Sequence, residues 1–247
     1  MNTPTYKPVA KLIERLLFAS ALAAGTLGVS PAFAQVPAMP VTNGKPQVTP
    51  PKNDAALRAL TPVPAKMLLN PPDNDWLMWR RTYDAWGYSP LKQINPDNVK
   101  NLTVAWSWAM TPGATETTPL VHDGVLFLYN FLDKVQALDA TNGDLLWEYK
   151  RDIPAEIPRQ NGNNAAKRNM AMVDDKLIVA TSDAHIIALD TKTGKVIWDH
   201  ETEDYKKGWR YTGGPLVASN VIVQGMSGCG NAMPGGCFIT GHDINDG

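Results

Sequence analysis

A short motif that recurs at a nearly fixed interval is the feature that most constrains this chain. ALDATNGDLLW at 137–147 returns as ALDTKTGKVIW at 188–198, and GHDINDG at 241–247 begins the motif a third time. The motif aspartates Asp139, Asp190 and Asp243 are spaced 51 and 53 residues apart. A fixed period of this size is typical of repeat architectures, in which each unit buries its apolar face against the next.

Each copy of the motif predicts a β-hairpin. The first strand ends at Leu-Asp, a glycine after Asn or Thr supplies the positive φ of a tight turn, and the second strand carries a tryptophan. The aspartate can accept hydrogen bonds from turn amides, so we interpret it as a turn residue rather than a general base. Trp147 and Trp198 each present a large apolar plate, which we expect to dock one repeat on its neighbour.

Strand signals separated by turn residues surround each copy. The predicted strands are Thr117–Val121, Val125–Asn130, Val135–Asp139 and Leu145–Lys150, then Asn169–Val173, Lys176–Thr181, Ile186–Asp190 and Val196–His200, then Gly214–Ala218, Asn220–Met226 and Cys237–Asp243. Four-stranded units of this kind predict an all-β fold, a β-propeller, with residues 76–247 forming fewer than three blades. Because propellers close with roughly 4 to 8 blades, we expect this chain to be a fragment of a longer protein, with a truncated gene product as the alternative.

The first 34 residues read as a signal peptide. Lys7, Lys11 and Arg15 form a basic region, an apolar run follows over 16–29, and Ala-Phe-Ala at 32–34 fits a cleavage site. The apolar run is shorter than the about 20 residues that a membrane span needs, so no stable span is expected. The mature protein is therefore predicted to be periplasmic, where disulfides persist.

Residues 35–75 contain nine prolines and are predicted to form an extended N-terminal arm, with a short helix possible only over 53–60. The segment Leu102–Met110 resembles a strand, and we expect it to close the propeller by completing the last blade. The formal net charge of −1 gives no electrostatic reason to expect a nucleic-acid partner.

The region from Asp75 to Gly247 resembles the N-terminal part of the pyrroloquinoline quinone (PQQ) dependent alcohol dehydrogenases of the methanol/ethanol dehydrogenase type. The resemblance rests on YSPLKQINPDNVKNLTVAW, the two complete ALD…W motifs, and GGPLVASNVIVQGMSG. It implies an eight-bladed propeller that holds PQQ beside Ca²⁺ or a lanthanide ion. It also implies hydride transfer from an alcohol substrate to PQQ and onward electron transfer to cytochrome c. The general-base Asp of the family is expected beyond Gly247, so we expect no turnover from this chain alone.

The same resemblance implies the cofactor-binding residues, which are Glu116, Arg168, Thr212, Ser227, Gly228 and Cys229. Arg offers a rigid fork for carboxylates, hydroxyls offer hydrogen bonds, and glycine lets the backbone approach a flat ring. Without the resemblance, Glu116 would be read as a solvated turn carboxylate, and Arg168 with Lys167 as an ordinary basic surface pair. His122, His185, His200 and His242 show no metal-ligand spacing and are interpreted as turn or surface residues.

Two departures from the family pattern bear on the metal and the cysteines. Gly230 stands where the family has a metal-binding Glu, and Asn231 next to it is our candidate metal ligand. Gly162-Asn163 replace the adjacent cysteine pair of the family. The two cysteines, Cys229 and Cys237, flank a Gly- and Pro-containing loop and are predicted to form a disulfide, with two free thiols as the alternative.

Three functions fit the sequence. The first is the PQQ-dependent alcohol dehydrogenase. The second is a non-catalytic propeller that serves as a protein-binding scaffold, and the third is a truncated, inactive product. The YSPLKQIN segment, Arg168 and Ser227-Gly228 favour the first.

Overall fold

The computed structural model describes residues 46–51, 55–157, 166–229 and 236–247. The predicted signal peptide, Gly162-Asn163, Gly230 and the candidate ligand Asn231 lie outside these residues. Within the described part of the chain, no helix has the length and apolarity to cross a membrane.

The described residues form three antiparallel sheets that follow one another along the chain. Blade 1 has the strand order β1-β5-β4-β3-β2, blade 2 the order β6-β7-β8-β9, and blade 3 the order β10-β11-β12. Their bounds are β1 Gln47–Thr49, β2 Leu120–His122, β3 Val125–Asn130, β4 Lys134–Asp139, β5 Leu145–Lys150, β6 Ala171–Val173, β7 Lys176–Ala180, β8 His185–Asp190, β9 Val196–Glu201, β10 Leu216–Ala218, β11 Val221–Gly225 and β12 Ile239–Asp243. Helix α1 spans Ala55–Ala59, and 3₁₀ helices span Ala65–Leu69, Val99–Asn101 and Tyr205–Lys207. These sheets confirm the predicted all-β propeller-type fold.

The central strands of blades 1 and 2 are buried on both faces. In β3, β4, β7 and β8 most residues are buried, including neighbours that face opposite sides of the sheet, which is why their sequences read as continuous apolar runs rather than alternating ones. Phe127, Trp147, Ile178 and Ile187 are fully buried in one common cluster. The core of the protein therefore lies between the sheets and not on one side of them.

The recurring motif forms the predicted turns. The Asp139 carboxylate accepts hydrogen bonds from the Thr141 amide and hydroxyl, and Asp190 and Asp243 accept from the amides of Thr193 and Asn245. Both complete copies also carry a β-bulge at the same place, after Ala137 in blade 1 and after Ala188 in blade 2. The repeat in sequence is therefore a repeat in backbone geometry.

Each motif tryptophan docks on the motif glycine of the next blade, as predicted. A Cβ placed on Gly194 would lie 2.5 Å from Trp147 Cε3, and one on Gly247 would lie 2.9 Å from Trp198 Cε3. The indole N–H groups donate to backbone carbonyls of the same neighbouring turns, from Trp147 to Thr191 O at 2.9 Å and from Trp198 to Ile244 O at 3.3 Å.

The predicted pairing of Leu102–Met110 with the last blade stays a prediction, because no strand of that blade is described. Within the described residues this segment pairs with none of the twelve strands. It is held by its indoles instead. Trp106 Nε1 donates to Ala140 O at 3.1 Å, and Trp108 Nε1 donates to Gln136 Oε1 at 3.1 Å. Trp106 also covers Gly143 as Trp147 covers Gly194, so the segment occupies the position of an outer strand without forming its ladder.

The N-terminal arm is part of the core and of the sheet of blade 1. Strand β1 adds to the outer edge of blade 1 through β5, while Leu57, Leu60, Val63 and Leu68 are buried in the common cluster. Helix α1 falls within the predicted helical stretch. Val63 of the arm also forms a backbone bridge to Asp174, in the first turn of blade 2, and Trp76, just after the arm, forms one to Val121 of β2.

Candidate functional site

The inner ends of blades 1 and 2 are joined by backbone hydrogen bonds. Thr115 and Lys167 form a parallel bridge, the Glu116 amide donates to Lys167 O at 3.0 Å, and the Thr118 amide donates to Arg168 O at 2.6 Å. Because these groups bond to the neighbouring blade, β2 and β6 begin later than predicted. The segments before β2 and β6 are thus held side by side, and the residues they carry converge.

Four of the predicted cofactor residues form one continuous chain of contacts across three blades. Arg168 Nη2 lies 2.9 Å from Glu116 Oε2, and Arg168 Nη1 donates to Thr212 O at 3.2 Å. The Thr212 and Ser227 hydroxyls are hydrogen-bonded at 3.1 Å. Residues that are up to 111 positions apart in the sequence therefore meet at one place.

Arg168 and Glu116 are about half exposed, with side-chain accessibilities of 47% and 54%. An ion pair this exposed adds at most about 1 kcal/mol to stability, because water screens it. Its effect is on geometry: Glu116 and Thr212 O hold the guanidinium in one orientation while other N–H donors of the fork stay free for a ligand.

Ser227 and Gly228 lie on a short bridge to the segment before blade 3. The amides and carbonyls of Arg210 and Ser227 exchange hydrogen bonds at 2.9 and 3.1 Å. Gly228 has φ +97°, and a Cβ there would collide with the Gly208 carbonyl. The chain's own backbone thus requires glycine at 228, and the predicted approach of a cofactor ring stays a prediction.

Cys229 and Cys237 form the predicted disulfide, with their Cα atoms 5.1 Å apart. The bridge ties the residue two positions after Ser227 to the segment that leads into β12. Phe238, next to Cys237, packs against Trp209 with ring centroids 5.2 Å apart. The disulfide therefore fixes the Ser227 end of the contact chain to blade 3.

A cavity of about 490 Å³ adjoins Arg168 and Glu116. Asn169 also lines it, and its Oδ1 accepts from the Gly214 amide at 3.2 Å. The remaining walls are mostly apolar and come from the arm, the segment just after it and the start of blade 3, including Leu68, Leu77, Met78, Trp79, Pro215, Leu216 and Val217. A few polar groups converging at one end of an apolar cavity are typical of small-molecule sites.

Lys167 was missed by the sequence analysis, which weighed it only as a member of a basic surface pair. Its side chain is 1% exposed, and Nζ lies 2.7 Å from Asp133 Oδ1 and 3.3 Å from Tyr211 O. Burial raises the pKa of the Asp133 carboxyl, but Lys167, Tyr129 and the Ser182 amide outweigh burial and hold that pKa below its usual value. Adjacent residues of an extended segment face opposite sides. An exposed Arg168 therefore implies a buried Lys167, and this was the signal available in the sequence.

The interpretation of His122 as a turn or surface residue was also wrong. His122 is the last residue of β2 and is buried, with Nδ1 2.7 Å from Asp75 Oδ2 and Nε2 3.0 Å from Thr61 O. His242 is buried as well. Strand alternation and the partners offered by the arm explain the burial of His122, because both ring nitrogens are satisfied there.

The described residues do not assemble a metal site beside Arg168. Their single group of three metal-capable side chains is Asp75, His122 and Asp123, which joins the arm to blade 1. Both nitrogens of His122 are already hydrogen-bonded. At the candidate site Glu116 supplies a carboxylate that is paired with Arg168. No metal-dependent step is derived from these residues.

Comparison with known proteins gives matches of one kind. Residues 76–165 match the family described as "Glucose/ethanol/alcohol dehydrogenase, beta-propeller domain". The chain is 37% identical over 174 residues to the quinohemoprotein alcohol dehydrogenase ADH IIB of Pseudomonas putida, covering 70% of this chain and 25% of that protein. It is 37% identical over 174 residues to the 1-butanol dehydrogenase (cytochrome c) of Thauera butanivorans, covering 67% and 24%.

The fold matches solved structures of the same kind. The structure of the quinohemoprotein alcohol dehydrogenase ADHIIG from Pseudomonas putida HK5 superposes with a TM-score of 0.68 and 31% identity, covering 76% of this chain and 28% of that one. The chain thus spans about a quarter of the length of the relatives it matches. The sheets, the docking tryptophans and these matches together show that the chain is part of a β-propeller similar to that of the PQQ-dependent alcohol dehydrogenases.

Proposed function

We propose that this chain contributes the first blades and part of the cofactor site of a periplasmic quinoprotein dehydrogenase that oxidises a primary alcohol and passes the electrons to cytochrome c. The observation that carries the proposal is the contact chain Glu116, Arg168, Thr212 and Ser227. The names of the relatives, which include quinohemoprotein and cytochrome c-linked alcohol dehydrogenases, support the substrate class and the electron acceptor.

The donor set fits PQQ, a planar quinone with carboxylate groups. When bound, PQQ supplies the quinone that accepts the two electrons of alcohol oxidation. Arg168 offers a planar fork of N–H donors to a carboxylate, and Glu116 and the Thr212 carbonyl hold that fork in place. The hydroxyls of Thr212 and Ser227 can turn to donate to a carbonyl oxygen of the ring.

Ca²⁺ or a lanthanide ion, with Asn231 as a ligand, remains a prediction of the family resemblance. The periplasmic location rests on the signal-peptide pattern of residues 1–34. Because this chain spans about a quarter of the length of its relatives, we expect the 247 residues to bind PQQ without turning over alcohol.

Reconstitution tests the proposal. The protein is incubated with PQQ and either Ca²⁺ or La³⁺, and quinone absorbance and dye reduction with a primary alcohol are measured. Saturable PQQ binding that requires Arg168 supports the cofactor site. The absence of PQQ binding by the folded protein would contradict the proposal and favour a protein-binding scaffold. Alcohol-dependent dye reduction by the 247-residue chain would refute the expected lack of turnover.

A further inference from the structure

We propose that Lys167 is a positioning residue for the candidate cofactor site, acting from within the core on Arg168 and on Thr212. This inference rests on the proposed function, because it gives Lys167 a role in presenting the residues that would hold PQQ. Lys167 itself is 1% exposed and cannot touch a ligand in the cavity.

Lys167 and Arg168 donate hydrogen bonds to two successive backbone carbonyls of the segment before blade 3. Lys167 Nζ donates to Tyr211 O at 3.3 Å, and Arg168 Nη1 donates to Thr212 O at 3.2 Å. One side chain does so from the buried side and the other from the open side. The distance between the guanidinium and the Thr212 hydroxyl is therefore set by both contacts and not by Arg168 alone.

The other end of the Lys167 contact is fixed in blade 1. Nζ lies 2.7 Å from Asp133 Oδ1 and 5.5 Å from the centre of the Tyr129 ring. Asp133 is fully buried and also accepts from Tyr129 OH at 2.6 Å and from the Ser182 amide at 2.7 Å. Lys167 thus connects blade 1, blade 2 and the entrance to blade 3 through one ammonium group.

The turn that presents Asp133 has an unusual backbone. Leu132 and Asp133 have φ of +62° and +53°, in the left-handed region that favours glycine. Side chains persist there only where the surroundings over-determine the conformation. The three donors to the Asp133 carboxylate, Lys167, Tyr129 and the Ser182 amide, provide that constraint. The ion pair with Lys167 thus helps to hold the turn in this conformation.

Stability alone does not explain this arrangement. Desolvating an ammonium and a carboxylate is costly, and well-packed apolar side chains in place of a buried ion pair are often as stable or more stable. An apolar pair could not hydrogen-bond to the Tyr211 carbonyl next to Thr212, whereas Lys167 does. The positioning role explains why a lysine is present here.

Two measurements on the 247-residue chain test the inference. The first is the ¹⁵N-edited NMR signal of the Arg168 side chain, assigned by its loss in Arg168→Gln. The second is the affinity for PQQ, measured from tryptophan fluorescence. The variants are Lys167→Met and Asp133→Asn. The matched control is Arg151→Met, which removes another buried ion pair between the same two sheets, with Arg151 Nε 2.8 Å from Asp183 Oδ1.

We expect Lys167→Met and Asp133→Asn to shift or broaden the Arg168 signal and to weaken PQQ binding by about tenfold, the equivalent of one lost hydrogen bond. Arg151→Met lowers the melting temperature but leaves both readouts unchanged. An unchanged Arg168 signal in the folded Asp133→Asn or Lys167→Met variant overturns the inference. If the wild type fails to bind PQQ, the proposed function fails, while the NMR signal still decides the role of Lys167.

Discussion

The indole of Trp147 lies against Gly194 of the next blade, and its N–H donates to Thr191 O at 2.9 Å in the same turn. Trp147 is fully buried. The same relationship joins Trp198 to Gly247 and Trp106 to Gly143. Through these contacts, each motif glycine provides the surface on which the tryptophan of the preceding blade or segment packs.

Gly194→Ala is therefore expected to destabilise the protein by more than the loss of glycine's backbone freedom. Gly194 has φ +68°, and the added Cβ would lie 2.5 Å from the Trp147 ring. Overpacking of this kind costs about 1–3 kcal/mol of the free energy of unfolding. Gly124→Ala is the matched control, because Gly124 has φ +78° with nothing within 4 Å of the added Cβ. Equal losses in urea unfolding would show that the tryptophan contact does not matter.

His122→Gln is expected to loosen the N-terminal arm. His122 joins Asp75 and the Thr61 carbonyl, and its removal leaves the buried Asp75 carboxylate without its imidazole partner. Leaving a buried polar group without its hydrogen-bond partner costs about 1–3 kcal/mol. Limited proteolysis should cut the arm faster in this variant than in the wild type. His200→Gln, on the exposed strand β9, is the control and should leave the cleavage rate unchanged.

The disulfide between Cys229 and Cys237 is expected to survive purification without reductant. Mass spectrometry of the unreduced, alkylated protein should find no free thiol. Closing a loop of 8 residues reduces the entropy of the unfolded chain, which corresponds to about 2–3 kcal/mol of stability. Replacing both cysteines with serine should lower the free energy of unfolding by that amount, and two alkylated cysteines in the wild type would contradict the prediction.

Acid should weaken the seam between blades 1 and 2. Burial raises the pKa of Asp199, but hydrogen bonds from His185 and Arg151 and their charges outweigh it and bring the pKa to about 2. A lowered pKa gives stability that is present above the usual Asp value of about 3.9 and is lost as the pH falls towards 2. Asp199→Asn should be less stable than the wild type at neutral pH, and the two unfolding curves should converge near pH 2. A constant difference across that range would refute this assignment.

Local patterns predicted the outer parts of the blades well. The bounds of β3 and β5 were predicted correctly, because hairpin turns and apolar runs are encoded within a few residues. The inner ends were not, since the amides of Glu116 and Thr118 bond to residues of the next blade. Leu102–Met110 forms no ladder with the described strands, and its indoles contact blade 1.

The candidate site was predicted in part, through resemblance. The structure brings Arg168, Thr212 and Ser227 together, and their role in binding a cofactor stays a prediction. Lys167 was not recognised, because its partner Asp133 lies 34 residues away and no spacing rule connects them. Contacts between blades determine the site, and apart from the docking tryptophans the sequence patterns describe contacts within a blade.

The affinity of the chain for PQQ, compared between wild type and Arg168→Gln, tests the central claim most directly. Removing a charge-assisted hydrogen bond should weaken binding by about 10- to 100-fold. Lys195→Gln, which removes one positive charge from an exposed turn, should bind as the wild type does. Equal PQQ affinity in the wild type and Arg168→Gln, or no saturable binding to either, would contradict the account.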